Sequence, residues 1–482
     1  MQAQAYRNLI AGQWVDGSDR ATFEDRSPAH PEDLLGTFPQ ASRADACRAI
    51  DAAAEAVTAW ATTPPPKRGA ILHRAAELLS AQLEDLAKLL TREEGKTLAE
   101  ARGEVARTRD IFLYYGGEGW RLSGDVLPSA NSGEMIYTRR EPLGVVAVIT
   151  PWNFPAAIPA WKIAPALAYG NTVVFKPASL TPLVGLRLVE ALVGAGLPPG
   201  VMNFVTGAGS VVGDELSRNP RVSGVSFTGS YSVGSSVYVA ATEGMKRAQC
   251  EMGGKNPLVV LDDADLGLAV ELAVRGGFGL TGQSCTATSR VIALPGIADE
   301  FVHALSDAAR NLRIGDGLDA ATQMGPAVSP EQMETDLKYM RIGQEEGARL
   351  LAGGGQPQGP GYHIEPTVFD GVEPGMRIAQ EEIFGPVISV IRAKDFDDSV
   401  RIANGVQYGL SASVVTRDLR HALAFAEQID AGIVKINGTT TDVALQAPFG
   451  GFKHSSAGTF REQGQAAKEF YTRSKTVYMR YG

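Results

Sequence analysis

"GVVAVITPWNFPAAIPAWKIAPALAYGNTVVFKPAS", residues 144–179, opens and closes on β-branched runs, GVVAVIT and NTVVFK, each stopped by a proline turn. Short apolar runs bounded by such breakers read as strands buried on both faces. The segment between them carries Pro151, Pro155, Pro159, Pro165 and Lys162, which would break and charge any membrane helix. Downstream the rhythm repeats, with VMNFVT (201–206), GVSFTG (224–229) and PLVVL (257–261) alternating with the helical stretches 182–196 and 209–219. Strand–helix alternation builds a parallel sheet covered on both faces, and ligands bind beyond the carboxyl ends of its strands, where KPAS and FTGS fall.

Outside this block, residues 44–63 and 68–115 carry the i, i+3, i+4 apolar spacing of long amphipathic helices. A second β/α series follows Glu251: helical 265–280, a strand at SRVIALP, helical 298–312, then VISVIRAK and AGIVKING. SGEMIYTRREP (132–142) and the terminal SKTVYMRYG look like strands belonging to neither core, so their open edges predict a homo-oligomer, a dimer or tetramer. The fold class is therefore α/β with more than one domain, as 482 residues also suggest.

A net charge of −9 with no basic patch argues against nucleic acid. Three dispersed cysteines, Cys47, Cys250 and Cys285, fit a reducing compartment, and no metal-ligand spacing is present, so no metal is expected. The N-terminus lacks an export signal, and a cytoplasmic location without membrane attachment follows.

Of the three thiols, Cys285 stands apart. GLTGQSCTATSR (279–290) surrounds it with Gly282, Gln283, Ser284, Thr286 and Thr288, which offer little bulk and many hydrogen bonds. A tight turn there would aim backbone N–H groups at an anion forming beside the sulfur. CEMGGKNP supplies Glu251 and ITPWNFP supplies Asn153, so attacker, water-activating base and oxyanion donor are all available for thioester-forming catalysis. A free thiol is only a few per cent ionised at neutral pH, so such a site has to favour the thiolate by donors or a base. A cysteine hydrolase would want a histidine base, and none of the six lies in a motif beside the thiol. A catalytically silent scaffold would not need these three groups intact.

PWNFP, KPAS, FTGSYSVG, EMGGKNP, GQSCTATSR, EEIFGPV and PFGGFKHS occur in an order and spacing that resemble the aldehyde dehydrogenase superfamily across nearly the whole chain. Within it, GQSCTATSR and the tail 460–479 most resemble the bacterial α-ketoglutarate semialdehyde (2,5-dioxopentanoate) dehydrogenases. The resemblance implies a Rossmann-type dinucleotide-binding domain (1–122 and 143–251), a catalytic domain (252–463) and oligomerisation strands (123–142 and 464–482). It implies oxidation of a small aldehyde to an acid, with attack by Cys285, Asn153 and a backbone N–H holding the oxyanion, Glu251 as base and Glu462 of FREQG as a proton relay. Trp152, Asn153, Lys176, Pro177, Ala178, Ser179, Gly229, Ser230, Met252, Glu382 and Phe384 would contact NAD or NADP. For substrate it points to Arg107, with Arg290 second, as partner of a distal carboxylate, to Phe154 and Trp161 as apolar walls, and to Ser284 and Thr286 beside the thiol. Succinate or glutarate semialdehyde is the competing substrate.

Relatives that prefer NAD tend to have an acidic residue where this chain has Ser179. A carboxylate there would bind the ribose hydroxyls and repel a 2′-phosphate, whereas Ser179 beside Lys176 removes that repulsion, so NADP is expected to be accepted. Ser179→Glu should move the kcat/KM ratio of the two cofactors toward NAD, and an unchanged ratio would remove this reading.

Overall fold

The computed structural model describes residues 4–457 and 460–481; residues 1–3 and 482, at the outer ends of the expected segments, lie outside it, as do 458–459. The β-branched runs do form a parallel sheet: β1 (Val145–Ile149), β2 (Thr172–Lys176), β3 (Met202–Phe204), β4 (Val222–Thr228) and β5 (Arg247–Glu251), in the order β3-β2-β1-β4-β5. Every residue of β1 and β2 is buried, as their unbroken apolar pattern requires. Short antiparallel strands close the edges, Asn8–Ile10 against β3 and Ser456–Ala457 against β5.

Two long helices pack near this sheet, α1 (Leu98–Gly116) and α2 (Ala157–Ala168). In α2 all twelve residues are buried, Pro165 included. It is a core helix, far short of the roughly 20 residues that span a bilayer, and among the described residues no helix is long and apolar enough to cross a membrane. α1 starts at a capping box in which Thr97 and Glu100 each satisfy the other's backbone N–H.

Five residues after Glu251 the chain enters a second sheet: β6 (Asn256–Val260), β7 (Thr288–Ala293), β8 (Thr367–Asp370), β9 (Val387–Arg392), β10 (Ser411–Val415) and β11 (Ile433–Ile436). They lie parallel in the order β8-β9-β7-β6-β10-β11, with Arg349–Ala352 antiparallel at one edge. The third sheet pairs Thr472–Arg480 with Glu134–Pro142 in unbroken antiparallel register, flanked by Val126–Leu127. Tyr478, Met479 and Val126 are exposed on it.

One expectation fails here. Arg290 does not face a substrate cavity: it is 1% exposed on β7, and its guanidinium donates to the carbonyls of Lys255 (3.0 Å), Ile402 (3.0 Å) and Ala403 (2.9 Å). β7 is covered on both faces at this position, where a planar five-donor group can satisfy three buried acceptors together. Arg290→Met should therefore lower unfolding stability by about 3–5 kcal/mol, since buried acceptors are left unpaired. Chemical denaturation measures that loss, and the relative KM of charged and neutral substrates should not move.

Candidate active site

The thiol loop is built under strain. After the helix Leu266–Phe278 the chain passes through three consecutive left-handed residues, Leu280 (φ 54°), Thr281 (φ 57°) and Gly282 (φ 69°). Non-glycine residues there cost about 1–2 kcal/mol each, and each is tied down: Leu280 N–H donates to Glu100 (2.8 Å) and Thr281 Oγ1 to the Gly325 carbonyl (3.0 Å). The Gln283 side chain reaches the Pro326 carbonyl and accepts from Val328 N–H (2.9 Å). At the far side of the loop, Asn256 Nδ2 donates to the carbonyls of both Cys285 and Ala287 at 2.9 Å. The backbone that carries the sulfur is thus fixed from both flanks.

The loop after β1 is held as firmly, by a buried ion pair. Lys96 Nζ donates to Glu104 Oε2 (2.6 Å) and to the Asn153 carbonyl (2.7 Å). The other Glu104 oxygen accepts from Ala156 and Ala157 N–H, capping α2. Burial works against the Lys96 ammonium, but Glu104 and Glu94 more than offset it and keep it charged. Asn153 Nδ2 donates to the Gln283 carbonyl (2.9 Å), tying this loop to the thiol loop. An amide nitrogen has a second hydrogen left to give.

Three carboxyls surround the sulfur at different depths. Glu251, 1% exposed, accepts from Ser456 Oγ (2.7 Å), and its second oxygen has no partner. Burial and the charge of Glu462 push it well above the ordinary carboxylate range, with Ser456 opposing. Glu462 is not on the surface: it pairs with Lys162 and accepts from Trp161 Nε1 (2.8 Å). Burial raises it, against the pull of Lys162. Glu382 accepts from Gly254 N–H (2.8 Å), and burial pushes it up to about 7. Depth, then Glu382, Glu251 and Glu462, push the Cys285 thiol up to about 12; its own backbone N–H draws it down. The donors expected to favour the thiolate are outweighed by these surroundings.

Two cavities meet at this sulfur, and among the described residues Cys285 alone lines both. The larger, about 500 Å³, runs along the carboxyl ends of β1, β2 and β4. Trp152, Asn153, Lys176, Ala178, Gly229, Ser230, Met252, Glu382 and Phe384 line it, whereas Pro177 and Ser179 do not. Pro177 is buried behind it, its carbonyl accepting from Lys176 Nζ (3.0 Å), and Ser179 is exposed. Thr150 Oγ1, Thr228 Oγ1 and Asn153 Oδ1 belong to lining residues and are buried without a partner. Trp152 and Phe384 meet edge to face, ring centroids 5.4 Å apart. The smaller cavity, about 230 Å³, is walled by Phe154, Ala157, Ile158, Trp161, Val443 and Phe449, with Arg107, Ser284, Thr286, Thr441 and Asp442 as polar members, Asp442 being paired with Arg275. Glu251 lines neither cavity; its carboxyl is turned toward Ser456.

Lys96, Glu104, the cavity-lining Gln332 and the pairing of Lys162 with Glu462 were missed in the sequence, and Gln283 was read there only as a hydrogen-bonding neighbour of the thiol. Lys96, in the short loop before α1, and Glu104, on α1, look like solvated charges, and only the approach of the Asn153 loop and the start of α2 buries them. Lys96→Met should lower stability by about 3–5 kcal/mol, because it leaves Glu104 buried and uncompensated. Adding Glu104→Gln should restore part of that stability in urea but not the turnover, since the Asn153 carbonyl still lacks its donor.

An aldehyde dehydrogenase family model matches residues 14–477. The chain is 49% identical to an α-ketoglutarate semialdehyde dehydrogenase of Haloferax volcanii, covering 98% of this chain and 99% of that one. It is 47% identical to a 2,5-dioxopentanoate dehydrogenase of Saccharolobus solfataricus over 98% and 99%. The solved structure of a Staphylococcus aureus betaine aldehyde dehydrogenase in complex with NAD+ superimposes with a TM-score of 0.96 at 36% identity, covering 100% of this chain and 95% of that one. With a thiol set between two cavities on this scaffold, the chain belongs to the aldehyde dehydrogenase family.

Proposed function

We propose that the protein oxidises α-ketoglutarate semialdehyde to α-ketoglutarate, using NAD or NADP. The observation that carries this reading is Cys285 lying at the junction of the two cavities: an aldehyde carbon bonded to its sulfur sits between a polar cleft and a small, largely apolar chamber. The names of the relatives with 47–49% identity support the substrate.

The cleft suits a dinucleotide. Its unpartnered hydroxyls and amide oxygen, the Lys176 ammonium and the start of the helix Tyr231–Glu243 match a ligand rich in hydroxyls and phosphate. Lys176 and Glu382 would hold ribose hydroxyls, and Trp152, Met252 and Phe384 would enclose the nicotinamide end. When bound, the nicotinamide supplies the hydride acceptor for the oxidation. Ser179, next to the lining residue Ala178, carries no carboxylate of its own to repel a 2′-phosphate, in keeping with use of NADP.

The chain's own residues do the rest. Sγ of Cys285 attacks the carbonyl carbon while the free N–H of the Asn153 amide and the Cys285 backbone N–H take the developing oxyanion. Because the surroundings oppose a free thiolate, its proton passes to the Glu251 carboxylate as the carbon–sulfur bond forms. Glu251 is the base: burial and the charge of Glu462 raise its affinity for a proton, and its carboxyl swings from Ser456 into the cavity to activate the water that releases the acid. Glu462 and Lys162 stand behind it as a proton route. Arg107 supplies the charge for the distal carboxylate: it lines the smaller cavity, among the described residues no carboxylate pairs with it, and its guanidinium donates to the Val443 carbonyl (2.5 Å) and Gln463 Oε1 (2.9 Å). The residues 1–122 and 143–251 form the dinucleotide-binding domain and 252–463 the catalytic domain. The strands within 123–142 and 464–482, with their exposed apolar residues, pair with a second copy, and three free thiols suit a reducing cytoplasm.

A panel of aldehydes assayed with each cofactor tests the reading. Reduction of NAD(P) should be fastest with α-ketoglutarate semialdehyde and absent in Cys285→Ala. Arg107→Ala should raise KM for that substrate roughly tenfold to a hundredfold, the worth of a charge-assisted bond, while a neutral aldehyde is affected little. Equal loss with both aldehydes would remove Arg107 from the substrate site.

A further inference from the structure

We propose that Asp336 is a positioning residue for the Glu382–Phe384 arm, acting through Gln332; this rests on the reading above that the arm binds the nicotinamide end of the cofactor. Both residues sit on α3 (Pro330–Glu345), whose N-cap is Ser329. Gln332 and Thr335 line the larger cavity, and Asp336, one turn on from Gln332, is 0% exposed.

A carboxyl at this depth is costly, and an apolar side chain would pack there more cheaply. The bond it makes accounts for its presence, its second oxygen being buried without a partner. Asp336 Oδ1 accepts from Gln332 Nε2 at 2.8 Å, and the same nitrogen reaches the carbonyls of Ile383 (3.1 Å) and Phe384 (3.3 Å). An amide nitrogen has two hydrogens for these three acceptors, so the aspartate fixes how Gln332 meets the arm. The arm needs such fixing, because Phe384 is held in the left-handed region (φ 64°), a strained conformation for an aromatic residue.

Packing transmits the same constraint. A Cβ placed on Gly385 would lie 2.2 Å from Asp336 Oδ1, so the carboxyl rests directly on the backbone of the arm. On the thiol side, a Cβ on Gly282 would lie 2.2 Å from the Gly385 carbonyl oxygen. Asp336, the arm and the thiol loop are therefore stacked with no spare room. Val328, just before α3, is bonded to Gln283 of the thiol loop, so one helix start braces both the cofactor arm and the sulfur. Burial pushes Asp336 up to about 8, which makes a neutral carboxamide its close substitute.

The test is equilibrium binding of NAD and NADP, read by quenching of tryptophan fluorescence, alongside steady-state kinetics. Asp336→Asn keeps the acceptor and should bind within about twofold of the parent. Asp336→Leu removes it and should raise Kd and the dinucleotide KM about fivefold to tenfold, the worth of one or more buried hydrogen bonds, with aldehyde KM unchanged. Asp336→Ala, which adds no bulk against Gly385, gives the same readout if the leucine chain does not fold. Parent-like binding by the Leu and Ala variants, or equal weakening in Asn, overturns the proposal. Glu382→Ala separates the two ideas: if it binds the dinucleotide like the parent, the reading of the arm fails, and if it alone is weakened, the arm stands and the role of Asp336 falls.

Discussion

A single ammonium out of contact with water organises the catalytic loop. Lys96 spends its donors on Glu104 and on the Asn153 carbonyl and lies 4.5 Å above the Phe154 ring, and Glu104 in turn caps α2. α2 carries Trp161 and Lys162, so one ion pair sets the loop amide, one wall of the smaller cavity and the cation beside Glu462. Such a pair contributes little net stability, because removing two charges from water costs about what their attraction returns. Its contribution is to geometry: neither partner can leave without stranding the other, so alternative placements of the loop are disfavoured.

The same logic explains how two sheets come to share one site. The first sheet presents the carboxyl ends of its strands, with Asn153 after β1, Lys176 ending β2, Gly229 and Ser230 after β4 and Glu251 ending β5. The second presents amino ends: Cys285 stands three residues before β7, and Glu382 five before β9. Only the first arrangement follows the rule for ligands in parallel sheets. The sulfur arrives from the opposite polarity, on a loop wound left-handed through Leu280 and Thr281, and the bonds from Glu100 and Gly325 are what make that strain tolerable.

This division marks what could be read in the amino-acid order and what could not. β-branched runs between prolines are a local signal, so the parallel sheet was legible, and the thiol, the Asn153 amide and Glu251 stood out by small or rigid neighbours, whereas Glu382 and Glu462 came only from the family resemblance. Periodicity shows which face of a helix is buried, but a charged residue on the other face looks solvated until another element covers it, as the start of α2 covers Glu104. Arg290 failed for the converse reason. An arginine near a nucleophile suggests a substrate partner, yet its strand position turns it away to three carbonyls that lie 35, 112 and 113 residues off in sequence. Glu251 was identified without its direction, because the orientation of its carboxyl is set by Ser456, which reaches β5 only through an antiparallel edge strand.

Electrostatics set how the site rests. Around the thiol stand Glu382, Glu251 and Glu462, all raised by burial; Lys162 answers Glu462, and Lys176 is bonded to the Pro177 carbonyl. Depth and the carboxyls both oppose a negative charge on the sulfur, and the thiolate is the form that oxidants and stray electrophiles attack. On the proposed mechanism the negative charge need never rest on sulfur alone: it passes to an oxygen that the Asn153 amide is already placed to receive. The firm bracing of that amide, by Gln283 on its side chain and Lys96 on its backbone, is then the counterpart of an unreactive thiol, because reactivity that the sulfur lacks at rest has to be supplied by groups that do not move when the carbonyl arrives.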